Sequence, residues 1–76
     1  MEIIKFVEKL AEQFDDTDAG IFTPETKFRE LDEWSSLVAL SVIAMVDDEF
    51  DVVLKGDEIR SVNTIEELYN LIKSKA

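Results

Sequence analysis

Ser35 and Ser36 stand side by side in the stretch WSSLVALSVIAMVDDEF, Trp34 to Phe50, at the head of a helix-length apolar segment that ends in acids. A hydroxyl in such a place has three chemistries open to it. It can cap the helix by accepting from a backbone N–H. It can carry a phosphate ester, whose charge a helix N-terminus stabilises. It can act as a nucleophile if a base and an oxyanion site are near. The third finds no support: the chain has no histidine, no G-x-S-x-G elbow, and no lysine three residues after either serine. Ser35 suits the cap, accepting from the N–H of residue 37 or 38. Ser36 is then the first helical residue, exposed and beside backbone N–H groups that the helix itself leaves unpaired.

Metal chemistry is as poorly served. Cysteine is absent, so disulfides and thiolate sites are excluded. DDTDAG at 15–20 invites a calcium loop, but its ligand spacing is incomplete. The twelfth position, counted from Asp15 or Asp16, is Thr26 or Lys27 instead of glutamate.

The segments around the serines read as helices. EIIKFVEKLAEQF at 2–14 carries Ile3, Val7, Leu10 and Phe14 on one face, widened by Ile4, Phe6 and Ala11. DDTDAG stops it. Residues 21–34 form a long ordered loop anchored by Ile21, Phe22, Phe28 and Leu31, with Thr23-Pro24 opening a short turn. The second helix runs from about Ser36 to Phe50, and a short third element falls in KGDEIRS. The last helix starts at a Thr64–Glu67 capping box and buries Ile65, Leu68, Leu71 and Ile72. The expectation is an all-α fold: a small four-helix bundle, three main helices plus one short one, with a long ordered loop between the first two main helices.

On the second helix, Ala39, Val42, Ile43, Val46 and Phe50 share a side and form the expected core face. Leu37, Leu40, Ser41, Ala44, Asp47 and Asp48 share the other. Two readings stand: a central helix buried all round, or an apolar docking strip ending in acids. Acids at a helix C-terminal end oppose its dipole by a few tenths of a kcal/mol, on the order of 0.3. That placement favours the docking strip slightly.

Composition bounds the rest. Hydrophobic residues are 46% of 76, enough for one small core and a single domain over 1–76. The net charge is −10, from 18 acids against 8 bases. Nucleic acid is repelled, and basic protein surfaces are drawn in. No apolar run is long enough to span a bilayer and no secretion signal is visible, so the expected place is the cytoplasm.

The chain resembles an acyl carrier protein of the phosphopantetheine-binding family. The likeness runs through TPETKFREL, WSSL, MVDDEFDV and IRSVNTIEELYNLI and covers essentially the whole chain. The family's attachment motif is Asp-Ser-Leu, and Ser35-Ser36-Leu37 occupies it here. The resemblance implies a non-enzymatic carrier with 4′-phosphopantetheine attached covalently to Ser36, holding acyl intermediates as thioesters in fatty acid, polyketide or related biosynthesis. It implies a phosphopantetheinyl transferase and basic-surfaced acyl-processing enzymes as partners, acyl chains as cargo, and a monomer. Leu37, Leu40, Ser41, Ala44, Asp47 and Asp48 would be the docking face. Ser35 replaces the family's aspartate, and Val38 and Ser41 stand where fatty-acid carriers have acids. Those departures suggest a specialised member. The alternative is an acidic helical interaction module without a prosthetic group.

Overall fold

The computed structural model describes residues 2–76 and folds into four helices: α1 (Ile3–Ala11), α2 (Ser36–Phe50), α3 (Gly56–Ile59) and α4 (Ile65–Lys75). Among the described residues there is no strand, and no helix is long and apolar enough to cross a membrane. This is the expected all-helical bundle with its long loop. VVL at 52–54 lies in no helix or strand, with Val52 and Leu54 buried and Val53 exposed.

α1 is shorter than its pattern suggests. The helix ends at Ala11, and two turn bonds carry the chain on: Gln13 N–H to the Leu10 carbonyl at 3.0 Å and Phe14 N–H to the Ala11 carbonyl at 3.0 Å. Phe14 is still buried. The buried stripe differs as well. Phe6, Leu10 and Phe14 are buried, whereas Ile3 and Val7 are half-buried and Ile4 is exposed. α1 packs against both α2 and α4, and Phe6 points between them. Its ring lies 5.7 Å from Phe50 and 5.8 Å from Tyr69, centroid to centroid.

The same partners turn α2. Its buried residues are Val42, Met45 and Val46, while Ala39, Ile43 and Phe50 are only half-buried. The expected core face of Ala39, Val42, Ile43, Val46 and Phe50 is thus rotated toward Met45, on the side where α1 packs. α3 is a single turn with Ile59 as its one buried residue, so it cannot seal the Ala39–Ile43 side. The chain leaves α2 through Asp51, whose left-handed φ of 57° ends the helix while its N–H still reaches the Asp47 carbonyl. Aspartate tolerates that conformation better than most residues.

Four rings organise the loop. Phe14 lies 5.0 Å from Phe22 and 6.2 Å from Trp34, and Trp34 meets Phe28 edge-on at 5.3 Å. Phe22 and Phe28 are buried anchors, Leu31 is half-buried, and Ile21 is exposed. The loop also completes the N-terminus of α4. Thr26 and Pro24 carbonyls accept from the N–H groups of Ile65 and Glu66 at 3.0 and 2.9 Å. Donors that a helix start leaves unpaired are thereby satisfied. The Thr64–Glu67 capping box forms as expected. Tyr69 joins the buried face of α4, and Leu71 is half-buried. Glu58 fixes the short α3: its carboxylate accepts from Lys55 N–H at 2.9 Å and pairs with Lys75 Nζ at 2.8 Å.

Burial ranks the phenylalanines. Phe28→Ala is expected to cost about 3–5 kcal/mol, a large share of the stability of so small a domain. Phe50→Ala, at a half-buried ring, is expected to cost distinctly less. Urea unfolding midpoints check the order, and equal losses would contradict this packing.

Candidate functional site: the start of helix α2

Ser35 is extended, with φ −156° and ψ 174°, and its Oγ accepts from Val38 N–H at 3.3 Å. Its carbonyl takes the first helical bond, from Ala39 N–H at 2.9 Å. Ser35 therefore is the cap. Ser36 follows as the first residue of α2, and its side chain is exposed. Among the described residues, no protein acceptor engages the N–H groups of Ser36 or Leu37.

A ring cluster and two hydrogen-bonded clamps outside α2 hold this start in place. Trp34 packs in the four-ring cluster immediately before the cap. One residue earlier, Glu33 accepts from Asp16 N–H at 3.0 Å and from the Thr17 hydroxyl at 2.6 Å, tying the end of the long loop to its beginning. Further back, Arg29 donates to the Val62 carbonyl at 2.9 Å and to Asn63 Oδ1 at 2.7 Å, tying the loop to the approach of α4. Neither clamp has a local sequence signature, because the partners lie 16–34 residues apart.

Beside Ser36 runs a groove of about 280 Å³, lined by Trp34, Ser35, Ala39, Leu40, Ile43, Gly56, Ile59 and Arg60. It exists because one turn of α3 covers only part of α2. A larger, more apolar groove of about 480 Å³ lies between α1 and the loop, around Ile4, Val7, Ala11, Phe22 and Pro24. It shares no residue with the groove at Ser36. The smaller groove is the one that meets an exposed hydroxyl at an open helix start.

The other face of α2 is uncovered along its whole length. Leu37, Leu40, Ser41, Ala44, Asp47 and Asp48 are all exposed, with Leu37 and Leu40 at 76% and 62%. The reading of α2 as buried all round therefore falls. Glu49, one step around the helix, is paired with Lys9 at 3.7 Å. Among the described residues, Asp47 and Asp48 make no ion pair. No group of acids is placed to hold a metal ion among the described residues.

A family model described as the phosphopantetheine attachment site matches residues 4–72, and the chain belongs to that family. Neither the curated proteins nor the solved structures yield a match. The family's domain is the attachment site of 4′-phosphopantetheine, and its members are carriers instead of enzymes. A carrier of this kind interacts with a phosphopantetheinyl transferase and with acyl-processing enzymes. The residues at the start of α2 fit the group: an exposed hydroxyl, unpaired N–H donors suited to an anionic ester, and an apolar groove leading away.

The Glu33 clamp has a pH signature. The Thr17 hydroxyl, followed by backbone N–H donors, holds its carboxyl below the ordinary glutamate value of 4.5. A depressed folded-state pKa stabilises above the unfolded value and is lost as pH falls through the folded one. Wild type should thus exceed Glu33→Gln in stability above about pH 4.5, and the gap should close as acid protonates Glu33. Urea midpoints from neutral to acid pH measure it, and a gap that stays constant would refute the clamp's charge.

Proposed function

We propose that Ser36 is the attachment residue and that the chain is an acyl carrier protein of fatty acid, polyketide or related biosynthesis, working as a monomer in the cytoplasm. One observation carries the assignment: Ser35 commits its oxygen to the cap, whereas Ser36 presents its hydroxyl at the open helix start. In the loading step, Ser36 Oγ forms a bond to the phosphorus of coenzyme A that bears the pantetheine arm. The pyrophosphate bond breaks, adenosine 3′,5′-bisphosphate leaves, and the serine proton passes to a base of the transferase. Once attached, the arm's terminal thiol supplies the thioester link to an acyl group.

The chain's own residues do the remaining work. The N–H groups of Ser36 and Leu37 favour the ester's negative charge. The groove walls of Trp34, Ile43 and Ile59 offer the arm an apolar path. The exposed face from Leu37 to Asp48 meets the partner. Leu37 and Leu40 offer apolar contact close to the attachment point, and Asp47 and Asp48 steer a basic surface toward it. A small charge-steered contact suits a carrier that must leave each enzyme after each step.

Ser35 supplies the cap without supplying charge. In the family, an aspartate before the attachment serine helps the transferase position its metal ion and the serine. The neutral residue here supports the reading of a specialised carrier with slower loading by a general transferase.

Two tests follow from the two faces of this reading. Under an active transferase, Ser36→Ala should lose the phosphopantetheine mass increment. Ser35→Ala should retain at least part of it while losing about 1 kcal/mol of stability with the cap. The reverse pattern would move the site by one residue, and loss of the increment from neither variant would dismiss both serines. On the docking face, Asp47→Lys with Asp48→Lys should slow association with a basic acyl-processing partner. The effect should shrink with salt, because exposed charges are screened over about 8 Å at physiological ionic strength. Folding should hold or improve, since negative charge leaves a helix C-terminal end. Association rates unchanged at low salt would reduce these acids to a solvated face.

A further inference from the structure

The chain has two arginines, Arg29 and Arg60, and they are used differently. Arg29 spends its donors on Val62 and Asn63 and is structural. Arg60 caps α3 through its backbone, with its N–H on the Gly56 carbonyl at 3.2 Å, and its side chain is exposed. The guanidinium folds back over the first residue of α3. Its Nη1 lies 3.4 Å from where a Cβ on Gly56 would stand, an ordinary contact distance. Among the described residues Arg60 makes no ion pair.

Its position gives this free cation a use. Of the residues that line the groove beside Ser36, Arg60 alone is charged. The rest are apolar, glycine or serine, in a chain whose net charge is −10. The nearest acids of α3 do not compete from within the groove: Glu58 is turned to Lys75 and the Lys55 N–H, and Asp57 lies outside the lining. On the α2 side the residue before Ser36 is the neutral Ser35.

We infer that Arg60 binds the phosphodiester formed on Ser36, pinning the root of the arm against α3 so that it starts along the groove instead of into solvent. This rests on Ser36 being the attachment residue. A guanidinium presents paired N–H donors in a plane, matched to two phosphate oxygens, and stays charged at any working pH. Lysine would supply the charge without the fork. The contact is on the surface, so salt weakens it.

Holo protein, prepared with coenzyme A and a transferase and confirmed by mass to be loaded on Ser36, provides the test. The arginine Nε–Hε resonances are compared between apo and holo forms, with Arg29 as the internal reference. The Arg60 resonance should shift on loading and that of Arg29 should stay. The ³¹P resonance of the phosphodiester should move in Arg60→Gln and be partly restored in Arg60→Lys. Raising salt to about 1 M should move the wild-type ³¹P resonance the same way as Arg60→Gln, and that salt response should be absent in the variant. If the protein is loaded on Ser36 but Arg60 shifts no more than Arg29, or Arg60→Gln leaves the ³¹P resonance in place, the contact is refuted and the attachment reading survives. If no increment appears on Ser36, both fall together.

Discussion

The position of the first residue of α2 is the constraint on which the rest depends. As the proposed attachment residue, Ser36 needs a hydroxyl that faces solvent beside an open helix start, and three interactions of unequal weight fix that start. The aromatic packing of Phe14, Phe22, Phe28 and Trp34 is the heaviest. Ring pairs add about 0.5–1.5 kcal/mol each beyond the burial of their area. The Ser35 cap adds about 1 kcal/mol, and the Glu33 hydrogen bonds secure the chain just before it. The rings therefore decide where the loop ends, and the cap decides at which residue the helix begins. A change at Ser35 is expected to loosen one turn, whereas a change at Phe28 threatens the domain.

Charge is distributed to the same end. Several of the chain's cations are committed to structure: Lys9 to Glu49, Lys75 to Glu58, Lys73 over the Tyr69 ring, and Arg29 to the loop clamp. Among the described residues, Asp47 and Asp48 at the end of α2 are left without an ion pair against the local helix dipole, a small cost that fits the proposed steering surface. The neutral Ser35 and the unpaired Arg60 leave the groove beside Ser36 without an acid in its lining, in a strongly acidic molecule. An anionic ester is easier to form and hold there than anywhere along the Asp47–Asp48 end.

Much of this was legible before the fold was known, because it is local. The Ser35 cap, the place of Ser36 as first helical residue and the Thr64–Glu67 box follow from local spacing, whereas spacing left the strip from Leu37 to Asp48 open between a buried and an exposed face. What was not legible depends on neighbours. A helical wheel cannot report that α1 packs on the Met45 side of α2, so it placed Ala39, Ile43 and Phe50 in the core in place of Met45. Nor can it show that α3 is too short to cover Ile43, which is what opens the groove. KGDEIRS carries one apolar residue with room to reach α2, Ile59, and that scarcity was the available hint. The Arg29 and Glu33 clamps span 16–34 residues and leave no periodic trace.

The central claim is that one hydroxyl of an adjacent pair is the attachment point because the other is spent on the helix. Fragment-ion mass spectrometry of the loaded wild-type chain tests it most directly, since cleavage between residues 35 and 36 separates the candidates. The account predicts the whole phosphopantetheine increment on fragments that contain Ser36 and none on those that end at Ser35. An increment on Ser35, or an unmodified chain after exposure to an active transferase and coenzyme A, would contradict it.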